Sequence, residues 1–379
     1  MPRPILATVD TEALSHNLGV VGRRLDAEVR GGKPLIWAVV KAHAYGHGLD
    51  VALRGFAAAD GLAMLDLDEA IHCREAGWAR PLLLLEGFFG PADLQVFSHY
   101  RITSVLHSAE QLGMLEASSG VQGLTAYVKL NSGMHRLGFQ PDEYRAAFER
   151  ALALKARGVL AEVGKITHFA RADDEAGFTA EQLQRFQVAT RGLPGPVSVC
   201  NSAATLTAGF AATVTGSPQW VRPGICLYGA SPFADRSAES LGLRPAMTLT
   251  AELISTHVLP AGEAIGYGQT FRAAQATPVG IVACGYADGY PRHAVTGTPV
   301  AVAGVRTRLL GRVSMDMLAV DLSPVPQARV GSPVVLWGQG GPSVDEVAQS
   351  CGTIGYELLT AVMPRVPRRV LSGPSFGKA

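Results

Sequence analysis

Through residues 1–241 short apolar runs alternate with amphipathic stretches whose hydrophobic positions recur at helical spacing, the pattern of successive βα units. The runs predict strands over 35–40, 62–65, 82–85, 102–106, 125–130, 159–167, 197–200 and 219–222, with helices such as 141–157 and 179–191 between them. Eight strands over about 240 residues suit a (β/α)8 barrel. A doubly wound sheet would want a GxGxxG turn after its first strand, and none follows 35–40. Beyond residue 241 the texture changes. Strand-like runs at 247–259, 278–284, 299–310, 317–322 and 333–337 are joined by Gly- and Pro-rich turns, and short helices at 344–350 and 356–362 precede a last strand at 368–371. The sequence thus predicts an α/β protein, with a TIM-type barrel over 1–241 and a mainly-β domain over 242–379. An opening strand at 5–10 is placed to pair with the second domain.

Composition narrows the function classes. A chain of 379 residues suits about two domains, and 47% hydrophobic content supplies a core for both. A formal net charge of +1, with no basic face, argues against nucleic acid or an anionic membrane as the main partner. No apolar run approaches the ~18 residues of a membrane span, and the first ten residues have no signal-peptide core. The cysteines (Cys73, Cys200, Cys226, Cys284 and Cys351) are scattered without a CxxC pair. They suit a reducing cytoplasm and offer neither a disulfide framework nor a metal site.

The chemistry gathers where a barrel would put it, at the carboxyl ends of the strands. Those positions hold Lys41, Glu86, His107, Lys129 with Asn131, His168, Asn201 with Ser202, and Arg222 with Gly224. Lys41 follows a buried-type strand and precedes a Gly-rich turn carrying Tyr45; desolvation there favours the neutral amine that forms a Schiff base. Asn201-Ser202 and Arg222-Pro223-Gly224-Ile225 follow the last two strands, where such barrels most often hold a phosphate. An amine facing a phosphate cradle suits pyridoxal 5'-phosphate. Taken singly, each residue has an ordinary structural reading: a lysine snorkelling at a strand end, a core histidine, a hairpin tyrosine, a surface arginine.

The segment Ala38-Val39-Val40-Lys41-Ala42-His43-Ala44-Tyr45-Gly46-His47-Gly48 resembles the cofactor-lysine motif of the alanine racemases, with His43 where that family usually has Asn. The likeness continues through Val128–Gly138 (VKLNSGMHRLG), Thr167-His168-Phe169-Ala170, Asn201-Ser202-Ala203 and Arg222-Pro223-Gly224. It then takes in Gly266-Tyr267-Gly268, Gly285-Tyr286-Ala287-Asp288-Gly289, Gly311–Met317 (GRVSMDM) and Gly352–Glu357 (GTIGYE). The resemblance implies that Lys41 bonds the cofactor and is one catalytic base, and that Tyr267 is the second, supplied by the opposite subunit of a homodimer with shared sites. It implies that Tyr45, Ser202, Gly224, Ile225 and Tyr356 hold the phosphate, with Asn201 beside them, and that His168 lies beneath the pyridine ring. Arg136 and Met315 match positions contacting the carboxylate of the substrate, alanine, with Tyr286 and Asp316 alongside. Lys129 matches a lysine that many members carbamylate to hold Arg136. His135 and Ser314 also depart from the usual Gly and Cys.

Racemisation removes a proton from Cα and returns one on the opposite face, so it needs two bases. A lysine and a tyrosinate suit that task once each is lowered from an ordinary value of about 10. Arg222 matches the group facing the pyridine nitrogen; it donates a hydrogen bond without yielding a proton, which keeps the ring a weak electron sink. The rival readings are a broader-specificity amino-acid racemase, a decarboxylase on the same scaffold, and a non-enzymatic pyridoxal phosphate carrier. A decarboxylase would want a carboxylate in place of Arg222, and a carrier would lack the second domain. The expected role is supply of D-alanine for cell-wall peptidoglycan.

Overall fold

In the computed structural model, which describes residues 3–29, 32–216 and 218–371, the opening strand β1 (Ile5–Asp10) leads directly into a helix, Thr11–Glu28. Asp10 caps that helix by accepting the Glu12 and Ala13 N–H groups. Eight parallel strands then close into a barrel: β2 (Leu35–Val39), β3 (Gly61–Met64), β4 (Leu82–Leu84), β5 (Ile102–Leu106), β6 (Leu124–Lys129), β7 (Leu160–Ile166), β8 (Val197–Ser198) and β9 (Gln219–Val221). Each matches a predicted run to within two residues at either end. Every residue of β3, β4 and β5 is buried, as in a sheet covered on both faces. Inside, Trp37 of β2 stacks on Trp220 of β9 at 4.2 Å, joining the first and last barrel strands.

The rest of the chain is mainly β. It comprises β10 (Met247–Leu259), a small hairpin of β11 (Ala264–Ile265) and β12 (Phe271–Arg272), β13 (Thr277–Val282), β14 (Pro299–Val302), β15 (Val305–Leu310), β16 (Leu318–Asp321), β17 (Pro333–Trp337) and β18 (Arg368–Leu371). The large sheet runs β13-β16-β15-β14-β17-β10-β1-β18, and a further β10–β13 pairing closes six of these strands into a ring. The long β10 makes this possible. Its first half pairs with β1 and β17, a register shift falls between Leu253 and Ser255, and its second half pairs with β13. β1 lies antiparallel to β10 and parallel to β18.

The predicted single strand at 299–310 is a hairpin. Ala303 and Gly304 both have positive φ, 47° and 81°, and make the two-residue turn between β14 and β15. The Ala-Gly pair lacks the usual Asn or Asp, so the turn is silent in the sequence. No described helix is long and apolar enough to cross a membrane.

One polar cluster fastens the β region to the start of the chain. Asp288 is buried, accepts the Gly285 N–H at 2.9 Å and pairs with Arg365 at 2.7 Å and Arg3 at 3.3 Å; both arginines also pair with Asp316. Replacing Asp288 with Ala leaves a buried N–H without its acceptor and both guanidinium groups with Asp316 alone. The Asp288→Ala protein should lose about 3 kcal/mol in urea unfolding. An unchanged midpoint would show that the network contributes nothing.

Candidate active site

The mouth of the barrel is a cavity of about 210 Å³. Of the predicted residues it brings together Lys41, Tyr45, Lys129, Arg136, His168, Asn201, Ser202, Arg222, Gly224 and Tyr356, and Glu86 joins them. Tyr356 comes from the second domain, on the helix Gly355–Ala361. Apolar side chains of Val39, Leu65, Leu85, Leu137 and Ile166 complete the wall. All but Leu137, which lies in the turn carrying Arg136, are strand-end residues indistinguishable in sequence from core.

Lys41 opens a turn of unusual handedness. Ala42, His43, Ala44 and Tyr45 all have φ between 51° and 54°, a left-handed helical turn made of residues with side chains. Such conformations cost roughly 1–2 kcal/mol per residue, so the surroundings must hold them. The Ala44 N–H bonds the Val40 carbonyl at 2.8 Å, and the Gly46 N–H bonds that of Ala42 at 3.0 Å. Gly46 continues at φ 78°, and a Cβ there would strike the Leu359 carbonyl of the Gly355–Ala361 helix. The Tyr45 ring stacks on Tyr228 at 4.6 Å. Its hydroxyl is thereby aimed at Gly224, where a Cβ would collide with it. Ser202 Oγ accepts the Gly224 N–H at 2.8 Å. These three groups form a cradle that only a glycine leaves open. Burial pushes the Tyr45 and Tyr356 hydroxyls up, so both keep their protons as donors.

The sequence also accounts for the neighbouring loops. Asn201 caps the short helix Ser202–Leu206 through the Ala204 N–H, which fixes Ser202. Asn131 Oδ1 accepts the Gly133 and His135 N–H groups at 3.2 and 3.0 Å, folding the turn that carries Arg136. Ile225 has a wholly buried side chain, leaving its backbone as the group that can face a ligand.

Electrostatically the cavity is lopsided, with Lys41, Lys129, Arg136 and Arg222 gathered around Glu86 as the one carboxylate lining it. Burial, then the Arg136 charge, lowers the Lys41 amine, with Glu86 opposing. Burial, then Arg222 and Arg136, brings Lys129 down to about 8. Arg222 is buried, donating to Ser198 Oγ and the Thr167 carbonyl at 2.6 Å each, and burial lowers it to about 10. It also donates to the Val199 carbonyl at 3.4 Å and meets His168 Nδ1 at 3.3 Å. Burial, then Arg222, keeps that imidazole well below its usual range and therefore neutral, with Nδ1 as acceptor and its proton on Nε2.

The other predicted residues lie elsewhere. Tyr267 is 69% exposed in the turn between β11 and β12, with the Arg312 guanidinium against the adjoining Gly268. Tyr286 and Met315 are exposed on neighbouring loops, held together by the Tyr286 N–H to Ser314 carbonyl bond at 3.1 Å, and Asp316 is engaged by Arg3 and Arg365. None of these four lines the cavity of its own chain.

The comparisons with known proteins agree with this architecture. Residues 9–232 match the family model "Alanine racemase, N-terminal domain", and 246–370 match "Alanine racemase, C-terminal domain". The chain belongs to the alanine racemase family. It is 62% identical to the alanine racemase of Bordetella petrii over 372 residues, 97% of this chain and 99% of that one. Among solved structures it resembles the biosynthetic alanine racemase of Pseudomonas aeruginosa, with a TM-score of 0.90 and 46% identity, covering 98% of this chain and all of that one. It also resembles that of Acinetobacter baumannii, with a TM-score of 0.88 and 39% identity, covering 97% of this chain and all of that one.

Between about pH 8 and 10.5 the unfolded chain binds the Lys129 proton and the folded one does not, so this group's contribution to stability rises with pH across that window. Trace acylation of the cofactor-free protein, mapped by peptide mass spectrometry, should give a Lys129 midpoint near 8. A midpoint at the ordinary lysine value would show that neither burial nor the cationic cluster acts on it.

Proposed function

We propose that the protein interconverts L- and D-alanine with pyridoxal phosphate, through two bases on opposite faces of the substrate, and so supplies D-alanine for peptidoglycan. The observation that carries this reading is the cation-rich cavity with a lowered lysine at one side and the Tyr45–Ser202–Gly224 cradle at the other. Its charge excess fits a ligand that brings a phosphate and a substrate that brings a carboxylate. Lys41, the cradle, Tyr356 and Arg222 would hold the cofactor, with His168 packed beside them. When bound, pyridoxal phosphate supplies an imine-forming aldehyde and a conjugated ring that delocalises the electron pair left at Cα.

The protein's part is to place charges and protons. Lys41, lowered by burial and by Arg136, is the base that accepts a Cα proton. Arg136 pairs with the substrate carboxylate. Lys129, at about 8, has a substantial neutral fraction, open to carbamylation by carbon dioxide; the resulting anion would relieve the cationic excess and hold Arg136. Arg222 keeps its proton at neutral pH and would donate to the cofactor's ring nitrogen without giving the proton up. A decarboxylase would want a carboxylate there, and the partners of Arg222 are a hydroxyl, backbone carbonyls and a neutral imidazole.

The second base is Tyr267, brought by a second copy of the chain. Tyr267, Tyr286 and Met315 are exposed together in the 242–379 domain and lie outside the cavity of their own chain. A head-to-tail homodimer would set them over the partner's barrel mouth, so each site draws on both subunits.

The purified protein should be yellow and racemise alanine. Borohydride should fix the cofactor to Lys41, and label on another lysine would refute the assignment. Mixing Lys41→Ala with Tyr267→Phe subunits tests the sharing. A mixed dimer has one site with both bases and one with neither, so activity should reappear from two nearly inactive parents. No recovery despite demonstrated subunit exchange would mean that each chain supplies both its own bases.

A further inference from the structure

The left-handed turn after Lys41 is held by a residue outside the cavity. Glu69 stands in the first turn of the helix Leu67–Glu75, which follows β3 and is capped by Asp66 through the Asp68 N–H. Its Oε1 accepts the His43 N–H at 2.8 Å. Its Oε2 is buried and has no hydrogen-bond partner. A buried carboxyl oxygen left unbonded is costly, and an apolar side chain would fill the same space without that cost. What Glu69 adds is an acceptor aimed at the turn. The other polar ties here grip carbonyls: the His47 ring meets those of Ala44 and Tyr45, and Arg368 donates to that of Gly46. Among the described residues, Glu69 is the one side chain that accepts an N–H from residues 42–45. Burial pushes its carboxyl up, with the His43 N–H opposing.

We propose that Glu69 is a positioning residue: by accepting the His43 N–H it holds the left-handed turn, and so sets Lys41 and the Tyr45 hydroxyl for the cofactor. If the turn relaxed to the favoured right-handed region, its peptide planes would turn over and Tyr45 would leave its stack on Tyr228. The inference rests on the function proposed above and extends it to a residue that touches neither cofactor nor substrate.

The test compares Glu69→Ala, Glu69→Gln and Glu69→Asp with the wild-type chain. The readouts are cofactor affinity by titration of the apoprotein, visible circular dichroism of the holoprotein, kcat and KM for L-alanine, and the far-ultraviolet spectrum as a check on folding. Loss of the acceptor in Glu69→Ala should weaken cofactor binding roughly tenfold and lower kcat by a similar factor, with KM little changed. Glu69→Gln keeps a carbonyl acceptor and should stay within about threefold of wild type. Glu69→Asp, one methylene short of His43, should behave like Glu69→Ala. Wild-type affinity and kcat in Glu69→Ala would overturn the proposal, as would Glu69→Gln as impaired as Glu69→Ala. If Glu69→Ala does not fold, equal affinities in folded Glu69→Gln and Glu69→Asp overturn it instead. Failure of the wild-type chain itself to take up pyridoxal phosphate would overturn the function as well, whereas a racemising wild type with indifferent Glu69 variants overturns this inference alone.

Discussion

Four cations share the carboxyl end of one small barrel with a single carboxylate. Left in water they would repel one another weakly; with the barrel wall around them the repulsion and the lost hydration both grow. The protein meets this in three ways. Arg222 is surrounded by backbone carbonyls and a hydroxyl, so its charge is hydrogen-bonded although no anion neutralises it. His168 stays neutral, which removes a further positive charge from the cluster. The lysines are lowered and become the most easily discharged members. A site arranged this way favours anions, and burial together with the charge excess lowers its amines.

The second domain takes part in that site within its own chain. The helix Gly355–Ala361 sets Tyr356 on the cavity wall and lays the Leu359 carbonyl against Gly46, at the end of the left-handed turn. The Gly46 carbonyl receives Arg368 from β18. The barrel therefore supplies the charges, while the β region helps keep the backbone that presents them in a conformation it would not choose alone.

Much of this was legible in the sequence because strands of a closed parallel barrel are buried on both faces and announce themselves as unbroken apolar runs. Lys41, Lys129, His168, Ser202 and Arg222 each follow such a run, so the strand-end rule reached them. The hairpin at Ala303-Gly304 escaped because an Ala-Gly pair carries little turn signal. The left-handed turn at Ala42–Tyr45 escaped for a deeper reason: of its residues only His leans toward positive φ, and the side chain that accepts one of the turn's N–H groups, Glu69, is distant in sequence. Glu69 itself sits in an ordinary amphipathic helix, where a glutamate in the first turn reads as a helix-dipole residue.

β1 is hydrogen-bonded on one side to β10 and on the other to β18. Ile5 thus faces Ala251, and Ala7 faces Arg368. On a ribosome making 5–20 residues per second, the second of these partners emerges roughly 20–70 s after the first residues do. Until β10 is made β1 waits with both edges open, and from then until β18 follows one edge stays open, although the barrel strands up to β9 are already made. Such a strand is a template for intermolecular pairing. The order of synthesis therefore leaves β1 longest without its partners, and a holdase that masks that strand would protect the fold where the finished structure gives no hint of weakness.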